Sequence, residues 1–424
     1  MQIPEVGIRY FAPAALKCKA RTFKIYNEED ICIISKVLSR YGFIMPVVID
    51  AGKNIVFGQE FVVAAKKLGL GKIPTIEVNH LKEKELSMFS LGMTNILQRG
   101  EMNIDYVVEE IKRWISDMNI ELIPEDIGLS SNALDNLFVS CEIEPEVKTE
   151  GELELPAEIP AVTKLGDLIA LGRHRLYCGD SLKRESYEIL LKDEKANIVL
   201  TDPPYNVKIQ GNVTKQKQHD EFAVASGEMS KTEFTDFLRK VFTMLKAYSK
   251  QDSLHYLFMD WRHTRELQLA CENIYQRFLN ICVWNKMRGG MGSFYRSQHE
   301  FCFVYQNGNG SYKNNIQLGK NGRNRTNVWD YPGMNISTKQ AKKLRKLHPT
   351  VKPTAMLMDI LLDASEYGDI VLDCFGGSGS TLIAAQQCGR RARLIELSPH
   401  YCDVIIARWE ELTGQKHQII ERIN

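Results

Sequence analysis

One stretch constrains the fold more than any other: IVLDCFGGSGSTLIAA, residues 370–385. An apolar strand, Ile370–Cys374, leads into a glycine-rich turn that opens directly into a helix. Glycines let a backbone turn tightly and approach a ligand, and free N–H groups at a helix N-terminus attract anionic groups. The next predicted strand carries Glu396, about twenty residues past the turn, where dinucleotide folds place an acid that binds ribose hydroxyls. This combination predicts an α/β fold that binds a nucleoside.

The turn differs from the phosphate-binding loops of other nucleotide folds. Its glycines do not follow the GxGxxG order and no Walker lysine comes after them, which disfavours NAD and ATP. Predicted strands and helices alternate in the same half of the chain, and this pattern favours a mostly parallel sheet covered on both faces. The strands are expected at 198–200, 254–259, 281–284, 300–305, 370–374 and 392–397, with helices at 231–246 and 381–388.

A second motif, TDPPYNV at residues 201–207, follows the apolar run Ala196–Leu200. Two adjacent prolines remove two backbone donors and fix φ, so the strand has to stop there. Open α/β sheets hold their ligands at the carboxyl ends of the strands. The motif therefore predicts a stiff strand end that presents Asp202 and Tyr205 to a ligand.

Composition divides the 424 residues into two domains. Residues 142–162 are rich in glutamate, contain prolines and lack helical periodicity, which predicts an acidic linker. It separates an N-terminal domain, 1–141, from a C-terminal domain, 163–424. In the first we expect helices at 31–40 and 61–68, strands at 46–50, 55–57 and 74–78, and then helical segments to about residue 137.

Bulk properties favour a cytoplasmic protein. The chain is 44% hydrophobic, 25% charged and has a net charge of +1. Its ten cysteines form no CxxC pair, which argues against a ribbon-type zinc site, and we expect no metal. The first residues, MQIPEVGIRYF, lack the features of a signal peptide, and no apolar run is long enough to cross a membrane.

Taken together, the two motifs resemble the β group of S-adenosylmethionine-dependent DNA amino-methyltransferases, in which DPPY precedes the glycine turn. The resemblance covers about residues 163 to 424 and implies a Rossmann-like methyltransferase fold. Six further segments support it in the same order, namely 173–181, 284–286, 295–296, 299–300, 327–330 and 348–353.

The resemblance implies catalytic roles for Asp202, Pro203, Pro204 and Tyr205. An exocyclic amino nitrogen is a poor nucleophile because its lone pair is delocalised into the ring. Asp202 and the Pro203 carbonyl oxygen would hold the two amino hydrogens, while Tyr205 would stack on the extruded base. Transfer is then direct, without a metal or a covalent intermediate.

The resemblance also implies a pocket for S-adenosyl-L-methionine. The methionyl end is expected at the glycine turn, with Thr350 and Lys352 nearby. Glu396 would bind the ribose, and Asp180 with Ser181 the adenine ring. The turn residues in this set are Asp373, Phe375, Gly376, Gly377, Ser378 and Gly379.

Asp at the head of the PPY motif favours adenine N6 as the methylated atom, and cytosine N4 is the alternative. Methylation of cytosine carbon needs a cysteine in a Pro-Cys pair, which this chain lacks. An alternative of another class is a DNA-binding or regulatory protein whose methyltransferase half is inert.

Double-stranded DNA is the expected partner. Residues 306–347 occupy the sequence position of the family's target-recognition region. The segment from Gln306 to Lys352 contains about ten lysine and arginine residues and one acidic residue, a composition that favours contact with phosphates. A second candidate is the polar loop 206–227. The sequence leaves open whether the protein forms a homodimer and whether it has a cognate restriction endonuclease or none. The candidate phosphate contacts are Lys320, Arg323, Arg325, Lys342, Lys343 and Arg345.

The N-terminal domain resembles ParB-like domains over about residues 7 to 137. The segments that carry this resemblance are 41–50, 57–69 and 73–76. Where that family has a basic, phosphate-binding stretch after the glycine, this chain has Gln59, Glu60 and Phe61. An acid there would repel a phosphate, which disfavours nuclease or nucleotide activity. We expect an accessory role in DNA contact, positioning or assembly, with a purely structural role as the alternative.

Overall fold

The structure is a computed structural model, and it describes residues 7–18, 26–82, 85–86, 89–90, 159–207, 227–290, 294–316, 323–333 and 351–422. The chain forms two compact units, Met1–Ile143 and Glu144–Asn424. Several sequence predictions lie outside the described residues: most of the linker 142–162, the helices expected up to residue 137, most of the loop 206–227, and Lys320, Lys342, Lys343, Arg345 and Thr350.

The N-terminal unit is a small α/β unit whose four described strands form one sheet in the order β1-β4-β2-β3. Two helices accompany it, and Val47, Ile49, Val62 and Ile73 are fully buried in its core. The elements are β1 (Ile8–Phe11), a 3-10 turn (Pro13–Ala15), α1 (Glu28–Tyr41), β2 (Val47–Ile49), β3 (Ile55–Phe57), α2 (Gln59–Lys67) and β4 (Ile73–Glu77).

Both predicted helices and all three predicted strands of this unit are confirmed within a few residues. Helix α1 begins earlier than predicted because Asn27 caps it, accepting a hydrogen bond from Asp30 N at 2.8 Å. Gly58 precedes α2 with φ 92°, a conformation that favours glycine. Strand β1 was missed, since it is short and mostly exposed.

The C-terminal unit contains ten strands in a single sheet. Its six predicted strands and both predicted helices are confirmed, most of them one or more residues longer than expected. The elements are β5 (Asp167–Leu171), β6 (His174–Cys178), α3 (Arg184–Leu191), β7 (Ala196–Thr201), α4 (Lys231–Ala247), β8 (Ser249–Met259), a 3-10 turn (Trp261–His263), α5 (Thr264–Cys271), β9 (Arg277–Asn285), β10 (His299–Gln306), β11 (Val328–Asp330), α6 (Thr354–Ala364), β12 (Ile370–Asp373), α7 (Ser380–Gln387), β13 (Arg391–Glu396), α8 (Pro399–Thr413) and β14 (Gln418–Arg422).

The strand order is β11-β9-β10-β8-β7-β12-β13-β6-β5-β14. The central strands β8, β7, β12, β13 and β6 are all parallel. Antiparallel pairings join β10, β5 and β14 to the outer parts of the sheet. The mostly parallel α/β prediction is therefore confirmed for the central strands, and the flanking strands make the sheet mixed.

Both faces of the sheet are buried, as predicted. Consecutive residues of β12 point to opposite faces, so Val371 joins a core with helices α6, α7 and α8 while Leu372 joins one with α3, α4 and α5. Among the described residues, no helix is long and apolar enough to cross a membrane. Just after the predicted linker, Asp403 anchors Thr163 by accepting hydrogen bonds from its backbone and hydroxyl at 2.9 and 2.6 Å.

Candidate functional site

Four neighbouring parallel strands end at one edge of the large sheet, and predicted site residues follow these ends. Asp202 comes directly after β7, and Asp373 and Glu396 are the last residues of β12 and β13. Asp180 lies two residues past the end of β6. Because these strands are adjacent and parallel, the sheet brings together residues that are widely separated in sequence.

Asp202 belongs to a group of five interacting side chains, which we call the Asp202 cluster: Asp202, Tyr205, Lys286, Glu300 and Lys352. The Tyr205 hydroxyl donates to Asp202 Oδ1 at 2.5 Å and lies 3.1 Å from Glu300 Oε2. Lys352 Nζ donates to Asp202 Oδ2 and lies 3.2 Å from Glu300 Oε2. Lys286 Nζ donates to the second oxygen of Glu300.

The Asp202 cluster is enclosed by the fold. The side chains of Lys352 and Glu300 are 7% and 10% exposed, and that of Asp202 is 24% exposed. Lys352 Nζ also lies 5.1 Å from the centre of the Phe258 ring. Two carboxylates and two ammonium groups balance in charge, which allows ionised groups to be buried together.

The two carboxyl groups of the Asp202 cluster have opposite pKa shifts. Burial raises the pKa of Asp202, and the charge of Lys352 only partly offsets this. Burial alone would also raise the pKa of Glu300, but the charges of Lys352 and Lys286 outweigh it and lower that pKa to about 2. When the pKa values of two neighbouring acids are shifted in opposite directions, the two acids can take different roles. The lowered pKa of Glu300 favours its ionised form, and the raised pKa of Asp202 favours uptake of a proton by that carboxylate.

Two members of the Asp202 cluster, Lys286 and Glu300, were missing from the predicted site. The sequence did contain a signal, because Glu300 directly precedes the apolar run 301–305 of the same strand. The structure also gives Lys352 two partners that the sequence did not identify. Lys352 was expected near the methionyl end of the cofactor, and the structure places it against Asp202 and Glu300, whose charges it neutralises.

The glycine turn holds Asp373 in a fixed position. Its carboxylate accepts hydrogen bonds from the hydroxyls of Thr201 and Thr381, both at 2.7 Å, and from Phe375 N at 3.1 Å. Gly377 and Gly379 have φ of 52° and 80°, which explains the need for glycine at both positions. A Cβ atom on Gly379 would lie 2.9 Å from Ile405 Cγ1, so any side chain there would collide with α8.

Glu396 is connected to the same turn. Its carboxylate accepts hydrogen bonds from Gly377 N at 2.7 Å and from Ser398 N at 2.8 Å. Its backbone oxygen accepts from Gly179 N at 2.9 Å, next to Asp180 and Ser181. The predicted cofactor residues that the structure describes, apart from Lys352, thus surround one turn of the backbone.

Asp373 and Glu396 are buried acids whose partners among the described residues are hydrogen-bond donors. Burial raises the pKa of both to about 7, although the hydrogen bonds act in the opposite direction. Within the described ranges, no lysine or arginine forms an ion pair with either carboxylate. A cationic ligand beside these two acids would favour their ionised forms and be stabilised by them.

We expect Asp373→Asn to stabilise the unliganded protein above pH 7. A raised pKa means that the folded state holds its proton more tightly, so stability falls as pH rises through about 7. Asparagine resembles the neutral acid and removes a cost of at most about 4 kcal/mol at pH 8. Thermal unfolding at pH 5.5 and pH 8 should give a clearly larger gain in Tm at the higher pH, because the full cost is present only above the folded pKa. An equal shift at both values would contradict it.

The structure corrects the proposal that Arg323 and Arg325 contact DNA. Arg323 donates to Asp359 at 2.8 Å and to Asp363 at 2.9 Å. Arg325 donates to the same two carboxylates at 3.0 and 3.1 Å. Both guanidinium groups are mostly buried and neutralised against α6, so they no longer belong to the proposed phosphate contacts. The physical reason is that a run of cations in sequence does not reveal which acids the fold brings to them.

Comparison with known proteins gives a family for the second unit. Residues 196–408, about half of the chain, match the family N6_N4_Mtase, described as DNA methylase. The chain is 24% identical to the type II methyltransferase M.HpaI of Haemophilus parainfluenzae over 264 residues. That region covers 59% of this chain and 78% of the relative.

Two solved structures are similar to separate parts of the chain. One is a DNA modification methylase of Thermus thermophilus, complexed with S-adenosyl-L-methionine. It is 22% identical with a TM-score of 0.39, over 57% of this chain and 94% of that one. The other is the chromosome-partitioning protein ParB of Caulobacter crescentus with CTP-gamma-S. It is 21% identical with a TM-score of 0.29, over 33% of this chain and 82% of that one.

Proposed function

The chain belongs to the N6_N4_Mtase family of DNA methylases, and we propose that it methylates the exocyclic amino group of one base in double-stranded DNA. Adenine N6 is the proposed target, because Asp202 stands before the Pro-Pro-Tyr sequence. The methyl donor is S-adenosyl-L-methionine. The observation that supports this best is the Asp202 carboxylate at a stiff strand end, beside a pocket with two further buried acids.

The residues around the glycine turn fit this donor. S-adenosyl-L-methionine carries a sulfonium and an ammonium group, and Asp373 and Glu396 are buried acids without a cation among the described residues. Asp373 and the glycine turn would hold the methionyl end, Glu396 the ribose, and Asp180 with Ser181 the adenine ring. When bound, the donor supplies an electrophilic methyl group.

The chain's own residues would activate the base. Asp202 and the carbonyl oxygen of Pro203 accept the two amino hydrogens, which turns the nitrogen lone pair toward the donor. As the N–C bond forms and the S–C bond breaks, the amino group becomes cationic and releases a proton to Asp202. The raised pKa of Asp202 makes it a competent base for this step. Prolines 203 and 204 keep the carboxylate in position, which matters because small displacements are costly.

Glu396→Ala and Phe375→Ala are expected to weaken binding of the methyl donor. Loss of a hydrogen bond to a charged group costs about 1.5–3 kcal/mol, so the Glu396 variant should bind roughly 10- to 100-fold more weakly. Isothermal titration calorimetry measures the affinity, with Glu185→Ala, an exposed acid of α3, as the control. Unchanged affinity in both site variants would contradict the pocket assignment.

Transfer of a tritiated methyl group to DNA tests the whole function. The protein should label duplex DNA, and nucleoside analysis of the product should give N6-methyladenine. N4-methylcytosine would make cytosine the target. Wild-type protein that retards duplex DNA on a gel and transfers nothing would instead indicate a DNA-binding protein with an inert methyltransferase half.

For the N-terminal unit we propose a ParB-like accessory domain that contributes to DNA contact, positioning or assembly. The helix after Gly58 begins with Gln59 and Glu60, and Phe61 packs edge-on against Phe43 with ring centres 6.1 Å apart. An acid and a packed aromatic ring do not form a phosphate site. Removal of this unit should therefore affect DNA affinity more than the transfer step.

A further inference from the structure

The connection between β9 and β10 is a hairpin that begins inside the active site. Lys286, its first residue, donates to Glu300 of the Asp202 cluster. Backbone hydrogen bonds from Lys286 N to Gln298 O and from Gly290 N to Ser297 O, both 2.8 Å, hold its two sides together. We call the described residues 286–290 and 294–298 the β9–β10 hairpin. It extends from the same edge of the sheet as Asp202.

The β9–β10 hairpin exposes two large aromatic side chains. Phe294 and Tyr295 are 83% and 86% exposed, and their ring centres lie 4.3 Å apart. Trp261, which is 47% exposed, donates from its indole nitrogen to Ser297 Oγ at 2.9 Å. Exposed aromatic surface is unfavourable in water, and its concentration beside an active site indicates a binding surface.

Hydrogen bonds hold the β9–β10 hairpin in shape. Arg296 donates to the carbonyl oxygens of Gly290 at 2.6 Å and Gly289 at 2.7 Å. A Cβ atom on Gly289 would lie 3.1 Å from Arg296 Cβ, so the two sides are closely packed there. Phe294 and Tyr295 therefore belong to a segment whose conformation is held by hydrogen bonds and close packing.

The charge of this region favours a polyanion. Residues 286–298 contain no aspartate or glutamate. Lys286 is paired with Glu300, while the cations Arg288 and Arg296 form no ion pair with a described carboxylate. Arg262 lies over the Trp261 ring at 4.6 Å and is paired with Asp260 at 3.1 Å. Cations interleaved with aromatic rings are the pattern that binds unstacked bases and phosphates.

We propose that Phe294 and Tyr295 stack on DNA bases next to the target and support the duplex once the target base is extruded. This inference rests on the proposed function, and it identifies the protein segment that contacts the DNA duplex after the target base is extruded. An enzyme that acts on a base has to remove it from the stack, at a cost of a few kcal/mol. Inserted apolar side chains offset this cost, and each base stacked on an aromatic ring contributes about 1–3 kcal/mol.

The test compares the double variant Phe294→Ala/Tyr295→Ala with wild type on two duplexes containing the mapped methylation site. In one duplex the target base is paired, and in the other it stands opposite an abasic position. We expect kcat/KM on the paired duplex to fall about 5- to 150-fold, the equivalent of one stacked base. On the second duplex the loss should be under about threefold, because the unpairing cost is already absent. Phe278→Ala, an exposed aromatic at the far end of β9, is the control.

The remaining outcomes separate this inference from the proposed function. An equal loss on both duplexes, or no loss, would overturn the stacking role, and a change in oligomeric mass would assign the aromatic pair to a protein interface. If wild type binds DNA and transfers no methyl group, the proposed function fails. The affinity for single-stranded DNA then tests the stacking role by itself. A drop of about fivefold or more in the double variant supports stacking, and equal affinity refutes it. Absence of any DNA binding would refute both.

Discussion

Asp202→Asn should lower kcat by about a thousandfold while leaving the affinity for S-adenosyl-L-methionine nearly unchanged. Asparagine has the shape of aspartate, but it cannot accept hydrogens with both terminal atoms or take up the proton released by the amino group. General-base contributions of about 10²–10⁴ support this size of effect. Single-turnover transfer to duplex DNA measures the chemical step, and calorimetry measures binding of the methyl donor.

Asp236→Asn is the matched control, because Asp236 is a half-exposed acid of α4 that pairs with Arg239. It should leave both quantities unchanged. A catalytic role for Asp202 would be refuted if its asparagine variant kept more than about a tenth of wild-type kcat, since loss of a general base costs at least about a hundredfold.

Lys352→Met should both destabilise the protein and move its activity to higher pH. The variant leaves Asp202 and Glu300 close together with only Lys286 to balance them, and loss of one partner from a buried ion pair costs about 3–5 kcal/mol. Burial and the Glu300 charge then raise the pKa of Asp202 without the opposing effect of Lys352. The acid limb of the kcat–pH profile therefore shifts upward, because the ionised carboxylate is needed for transfer.

The stability of this variant has a definite pH dependence. A carboxyl whose folded pKa lies above its unfolded pKa stabilises the fold at low pH, and this contribution is lost as pH rises through the folded value. The Tm deficit of Lys352→Met should therefore grow from pH 5 to pH 8. A pH-independent deficit, or an unmoved kcat–pH profile, would show that Lys352 acts through packing alone.

The double variant Lys352→Met/Glu300→Gln distinguishes charge balance from packing. It removes one cation and one anion, so the remaining cluster again has equal charges, Asp202 and Lys286. We expect it to be more stable than Lys352→Met alone, and the double-mutant cycle measures this coupling directly. Additive losses of the two single variants would mean that the charges of Lys352 and Glu300 are not coupled.

Much of the C-terminal fold followed from the sequence. The alternation of short apolar runs with helices predicted the central parallel strands, and the two prolines after Thr201 predicted where β7 ends. Strands β5, β6, β11 and β14 were missed, because the pairing of short strands in the outer parts of a sheet depends on neighbours that local patterns do not identify. Strand β14 is exposed along its whole length and shows no apolar alternation.

The sequence by itself determined which chemical groups stand at the strand ends: Asp202 after β7, and Asp373 with its glycine turn after β12. This is possible because strand termination and tight turns depend on nearby residues, on proline and glycine above all. Only the tertiary structure decided the charge partners of these groups. Lys352 meets Asp202 across 150 residues of sequence, and Tyr205 meets Glu300 across 95. Ion pairing depends on distance in space, and the strand order of the folded sheet sets that distance.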